Sequence, residues 1–159
     1  MEQELGRDRF NELFAHIRMI KLKNKARRSV LEELQESVVP KIASIPDFID
    51  DELSSYASAF RALKNGNYRA DNNQSDINQY IYWLNQVSFS EWLPAAILFL
   101  HQKPDAHQSV EFFRHLEILT SYLHLSAKYT GKRIERYGSI LKDLQKNPKQ
   151  CSPSLFLDD

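Results

Sequence analysis

The chain has 159 residues, enough for one domain with a real core, and its 42% hydrophobic and 26% charged content excludes a disordered chain. Its 21 basic and 21 acidic side chains cancel, which weighs against a domain bound mainly to nucleic acid, usually basic overall. A single cysteine, Cys151, leaves no internal disulfide and suits a reducing cytoplasm, the expected compartment.

The polar opening MEQELGRDRF lacks the apolar core of a signal peptide. The longest apolar run, Trp92–Leu100, falls short of the ~20 residues that span a bilayer, so no membrane partner is expected. Helical periodicity recurs along the chain, and strand-like alternation does not.

A first helix is expected over roughly 7–38, with Phe10, Leu13, Phe14 and Ile17 on one face. At ~100° per residue, Leu22, Ala26 and Val30 point elsewhere, so the apolar stripe jumps near residue 21. Either the helix bends there or its two halves pack on different neighbours. Ile49, Leu53, Tyr56, Phe60 and Leu63 form the next stripe, with Asp47 as the expected cap and Asn65-Gly66 as the stop.

The Asn-, Asp- and Gly-containing stretch 65–75 reads as a surface loop. Ile77, Tyr80, Ile81, Leu84 and Val87 form the stripe that follows it. Ser90 can cap a short helix carrying Trp92, Leu93, Ala96, Ile97 and Leu100, with Pro94 tolerated in its first turn. That segment is apolar on nearly every side and belongs at the centre of the bundle.

A long helix begins near Asp105 and presents Phe112, Leu116, Leu119, Leu123 and Ala127, with its break expected at Thr130-Gly131. The last helix carries Ile134, Tyr137, Leu141 and Leu144 and stops at Asn147-Pro148. The expected organisation is an all-α, single-domain bundle of five or six helices over 1–146, followed by a loose tail, 147–159.

Two basic clusters are the sharpest local features. Arg18, Lys21, Lys25 and Arg28 would form one ridge on a continuous first helix, suited to a phosphate backbone, or to pairing with Asp47, Asp50, Asp51 and Glu52. Lys128, Lys132, Arg133 and Arg136 surround the start of the last helix, where cations oppose the helix dipole and call for a compensating partner. Tyr129 and Tyr137 lie nearby and suit either stacking or the edge of the core.

The five histidines make no metal motif: Glu111 and His115 share a helical face, but no second His or Cys completes a site. His16 and His124 suit packed positions, and Cys151 has no local base. No phosphate-cradling Gly-rich loop, HExxH or Gly-x-Ser-x-Gly occurs, so no cofactor and no particular reaction is indicated.

Taken in order, GRDRFNELFAHIRMI (6–20), FIDDELSSYASAF (48–60), SEWLPAAILFL (90–100), FFRHLEIL (112–119) and KRIERYGSIL (132–141) resemble the helical region of GmrSD-type proteins. These are bacterial and archaeal modification-dependent restriction proteins, and the likeness covers roughly 4–145. In that family the helical region lies between a ParB-like domain with a DGQQR-type motif and an HNH-type nuclease region. Neither motif occurs in this chain, so the family's catalytic residues have no positions here.

The resemblance implies a middle segment or stand-alone relative, without catalysis of its own. The expected role is a scaffold and interaction domain whose partners are flanking domains or another protein. The alternative is a DNA-contacting module using Arg18, Lys21, Lys25, Arg28, Lys132, Arg133 and Arg136. Self-association into a homodimer through the displaced apolar stripe is a third reading.

Overall fold

The computed structural model describes residues 6–70 and 72–157. Seven helices build the described chain, and no strand occurs among the described residues. The expected class is therefore met, with one or two helices more than expected.

The extra helix comes from the N-terminal region. Helix α1 is Arg7–Leu22 and ends where Lys23 turns left-handed, at φ 55°, its N–H bonding to the Met19 carbonyl. The predicted continuous helix to residue 38 does not form. After the break, α2 begins at Val30–Glu33 and runs on through a π turn, Leu34–Val38, and a 3-10 turn, Val39–Lys41. Its start is written locally: Ser29 accepts from the Glu32 amide while the Glu32 carboxylate reaches back to Ser29, a capping box. The apolar jump near residue 21 thus marks a helix end rather than a bend.

Helix α3 comprises Ile45–Asp47, a π turn Phe48–Leu53, and Ser54–Asn65. Ser44, not Asp47, is its cap, and Pro46 lies in the first turn, where a missing amide costs nothing. Beyond the wider π turn Leu53, Tyr56, Phe60 and Leu63 are buried, whereas Ile49, the expected first member of that stripe, is 45% exposed. Gly66, at φ 62°, ends the helix as predicted. In the loop that follows, the Asn78 side chain accepts from the Tyr68 amide and donates to the Tyr68 carbonyl, both at 2.9 Å.

Helix α4 (Gln74–Leu84) buries Ile77, Ile81 and Leu84. Helix α5 (Leu93–His101) is covered on all sides, with every residue from Leu93 to Phe99 buried. Trp92 precedes it, and Ser90 contributes its carbonyl to the entry turn instead of a side-chain cap. Helix α6 (Ala106–Leu125) opens on a capping box between Asp105 and Gln108. Helix α7 is Thr130–Lys146.

Around α5 pack α1, α3 and α7, while α4 lies along α6. Phe99 of α5 stacks on Phe112 of α6 at 3.8 Å and meets Phe113 edge-on, joining the two layers. Tyr137 of α7 is fully buried, and its hydroxyl is 2.9 Å from Thr120 of α6. Burial pushes that phenol well above its ordinary pKa.

The α6 break falls at Ala127, four residues before the expected Gly131. The Lys128 and Ala127 amides bond to the Leu123 and His124 carbonyls, a Schellman closure with alanine at the left-handed position, φ 49°. Gly131 instead sits in the first turn of α7.

The segment expected to be a loose tail docks. Ser152 and Leu155 are buried, and a 3-10 turn, Pro153–Leu155, lies against α7 and α6. Burial works against the Asp143 carboxylate, but donation from the Ser152 and Ser154 hydroxyls outweighs it and holds the group below its ordinary pKa. The docking residue is apolar, Leu155, and the short run Leu155–Leu157 after Ser and Pro carries no helical periodicity to reveal it. Asp158 and Asp159 lie outside the described residues.

Two substitutions test this packing. A Cβ at Gly138 would sit 2.7 Å from the Lys23 carbonyl oxygen, a backbone atom at the end of α1. Gly138→Ala gains about 1 kcal/mol of helix preference but forces the two helices apart, for a net loss of about 1–2 kcal/mol in denaturant unfolding. Ala127→Gly relieves a left-handed alanine against a more flexible unfolded chain and raises stability by up to about 1 kcal/mol.

Candidate functional site

The four N-terminal basic residues do not form a ridge, because α1 ends before Lys25 and Arg28. Arg18 is 4% exposed and turns inward. Its Nε donates to Glu33 Oε2, Nη1 to the Asn24 carbonyl, and Nη2 to Asn24 Oδ1 at 2.7 Å and the Lys25 carbonyl at 3.3 Å. The other Glu33 oxygen accepts from the Arg27 and Arg28 amides, at 2.8 and 3.1 Å. One buried ion pair therefore holds both sides of the 23–29 loop.

Lys21 donates to Glu52, the one member of the anticipated Asp47–Glu52 acids that it meets, and Arg28 pairs with Glu36. Lys25 is exposed on the loop. Lys23, by contrast, is pulled below its ordinary pKa, first by partial burial and then by Lys21, Lys142 and Lys41. Lys21 and Lys41 line one pocket at the end of α1, and Lys142 of α7 adds to the positive field at Lys23, a grouping that sequence spacing does not display.

The C-terminal cluster divides. Arg133 turns to Glu91 of the turn before α5, at 2.8 Å, lies 4.3 Å from the Phe89 ring centre, and donates to the Lys128 carbonyl. That pairing supplies the compensation its place near a helix N-terminus requires. Lys132 lies 3.1 Å from Glu135, and Arg136 donates to the Phe156 carbonyl.

Lys128, Lys132 and Arg136 also line a cleft of about 590 Å³, whose apolar lining includes Leu119, Tyr122 and Leu157. It lies where α6 gives way to α7, beside the docked C-terminal segment, which packs against both helices. Tyr122 is 45% and Tyr129 65% exposed at its edge. Of the seven predicted basic residues, Lys132 and Arg136 reach the cleft. Tyr122 and Leu157 join them without having been predicted. Tyr122 belongs to a second apolar stripe on α6, Ile118, Tyr122 and Leu125, which is legible as spacing but is masked by the stronger core stripe.

A second polar group lies between α3 and α5. His101 Nδ1 is 2.9 Å from Ser55 Oγ, its ring stacks obliquely on Tyr56, and the Tyr56 hydroxyl donates to Glu52 at 3.3 Å. Burial lowers the His101 pKa and raises that of Tyr56. A serine beside a histidine invites comparison with an activated nucleophile. Here Glu52 engages Lys21 and Tyr56, and Ser55 lies within a continuous helix whose amides are committed to helical bonding. That commitment leaves no amide pair beside Ser55 to stabilise an oxyanion.

His16 is buried against Phe60 and Glu12, as a packed histidine, while His124 is exposed. Burial, and then Glu111, raises the Cys151 thiol to about 11, leaving little thiolate at neutral pH. No three potential metal ligands group together among the described residues, and no described helix is long and apolar enough to cross a membrane.

No family model matches the chain, and no curated protein or solved structure matches it significantly. Nothing in these comparisons links it to GmrSD-type proteins.

The carboxylates generate an acid-stability prediction. Glu12, hydrogen-bonded to His16 and then to Lys64, is lowered from 4.5 to about 2. Glu33 is lowered by the Arg27 amide, then by Arg18. Both are depressed in the folded state, so their contribution is present above about pH 4.5 and is lost as the pH falls towards 2. Thermal melts should fall steeply across that window, and Glu12→Gln should flatten the fall while lowering the neutral-pH melting temperature.

Proposed function

We propose that this chain is a non-catalytic interaction module that docks a protein partner at the junction of α6 and α7. The observation that supports this reading is the exposure of Tyr122, Tyr129 and Leu157 at the cleft, with Ile118 and Leu125 exposed on the same helix as Tyr122. Exposed large apolar side chains grouped at a cleft with a charged edge are the usual form of a docking surface. A role beside ParB-like and HNH-type domains of a GmrSD-like defence protein is part of the proposal and rests on the five sequence phrases alone.

A random-peptide display on the purified chain tests the reading, with Tyr122→Gln/Tyr129→Ser as counter-selection. Both tyrosines are substantially exposed, and Tyr129 is the N-cap of α7, which has no side-chain cap bond. A serine hydroxyl introduced there supplies that bond, so the variant keeps its fold. Convergence on a motif that the variant fails to bind is expected. Failure of any motif to converge, or ATP, GTP or DNA turnover that survives repurification, overturns the reading.

A second reading, polyanion contact, is favoured by Lys21 and Lys41, which line one pocket at the end of α1 near Lys23, with Lys142 adding to the positive field there. It predicts duplex binding that weakens steeply with salt, with a slope reduced by about 0.9 for each phosphate-contacting lysine changed to glutamine. Binding indifferent to Lys23→Gln/Lys142→Gln sinks it.

A further inference from the structure

We infer that the hollow at the end of α1, between Lys21, Ser37 and Lys41, holds the phosphoryl group of a phosphomonoester. The inference rests on the polyanion reading in placing anion contacts at that end of α1, and it narrows the ligand from a strand of phosphates to a single one.

The hollow is built from two pieces of chain. Lys21 and Leu22 close α1, while Ser37, Val38, Lys41 and Ile42 come from the π and 3-10 turns of α2 and the residue after them. Its volume is about 100 Å³. At ~30 Å³ for each water, that is room for about three waters, and so for a group with three terminal oxygens. Whatever carries the phosphoryl group stays outside.

Three lining side chains can donate to it. Lys41 is exposed and makes no ion pair or hydrogen bond with its side chain among the described residues. The half-buried Ser37 hydroxyl likewise has no hydrogen bond among them. Lys21 gives one proton to Glu52, and an ammonium has three. These donors match the three acceptor oxygens of a phosphomonoester, whose charge at neutral pH is about −1.5 to −2.

Glu52 offsets Lys21, so the net charge at the hollow comes from Lys41 and from lysines just outside the lining. The charges acting on Lys23 are Lys21, Lys142 and Lys41, all of one sign. Neither Lys23 nor Lys142 has an acidic partner among the described residues. A dianion gains about twice as much from such a field as a monoanion at the same distance.

A helix C-terminus ordinarily opposes an anion through its unpaired carbonyls. In α1 the Met19, Ile20 and Lys21 carbonyls already accept from the Lys23 amide, the Gln145 side chain and Lys23 Nζ, at 2.8, 3.4 and 3.2 Å. A duplex presents its phosphates in a row and calls for cations spread along a face. Here the two lining lysines share one hollow, which suits one compact anion.

The test uses the full chain with methyl phosphate and methyl sulfate, alike in shape and different in charge. In an NMR titration methyl phosphate should bind about fivefold more tightly than methyl sulfate, with shifts centred on Ser37 and Lys41. Lys41→Gln should weaken it about five- to tenfold, and Ser37→Ala about two- to fivefold. Lys103→Gln, at an exposed lysine between α5 and α6, should leave it unchanged, with circular dichroism confirming the fold of each variant. Two further probes separate the sources of the group. Competition by glycerol 3-phosphate assigns a soluble ester, and Lys41-dependent sedimentation with phosphatidic acid vesicles assigns a lipid headgroup.

Equal affinity for the two methyl esters overturns the inference, as does binding indifferent to Lys41→Gln. Duplex binding that Lys23→Gln/Lys142→Gln weakens, and that methyl phosphate does not displace, leaves the polyanion reading standing and overturns the single-phosphate site. Methyl phosphate held through Lys41 without duplex binding does the reverse. If neither binds, both fall together.

Discussion

Complete burial of α5 is the constraint around which the bundle is organised. A helix of nine residues with Leu93 through Phe99 sequestered has no solvent face, so it must be enclosed by neighbours. Helices α1, α3 and α7 surround it, and the Phe99–Phe112 stack transmits the same layer to α6 and hence α4. The apolar faces of those helices are spent on this one task. Ile118, Tyr122, Leu125 and Tyr129 are among the large apolar side chains left exposed, as are Leu31, Tyr82 and Trp83 elsewhere on the surface.

The Arg18–Glu33 pair shows how a residue that reads as functional becomes structural. Its guanidinium and carboxylate are both buried, and their remaining valences are taken by the Asn24 and Lys25 carbonyls and the Arg27 and Arg28 amides. A buried charge pair is tolerated when its polar atoms are hydrogen-bonded, and here all three guanidinium nitrogens and both carboxylate oxygens have partners. The pair thus converts 23–29 from helix into a defined turn, and it separates Arg18 from Lys25 and Arg28 in the process. Gly138 completes the junction by letting α7 approach the Lys23 carbonyl.

At the opposite end of α7 the same economy produces a different result. Arg133 is consumed by Glu91 and Phe89, so the basic cluster that looks uniform along the chain divides into one structural cation and three that face the cleft. The docked segment around Leu155 bridges α6 and α7 without filling the space near Tyr122 and Tyr129. The meeting of α6, α7 and the docked segment, rather than any local motif, creates the candidate site.

Helical class, the central place of α5, and the stops at Gly66 and starts at Asp105 were legible in the residues, because periodicity and capping are local effects. The Ser29–Glu32 box is equally local, but the long run of helix formers around it masks the division it makes in the first helix. The inward turn of Arg18, the alanine closure of α6, the docking of Leu155 and the division of the second basic cluster were decided by tertiary structure. Each depends on a partner nine or more residues away or on a backbone angle the residue does not favour, and no local pattern encodes a contact that exists only once the helices have met.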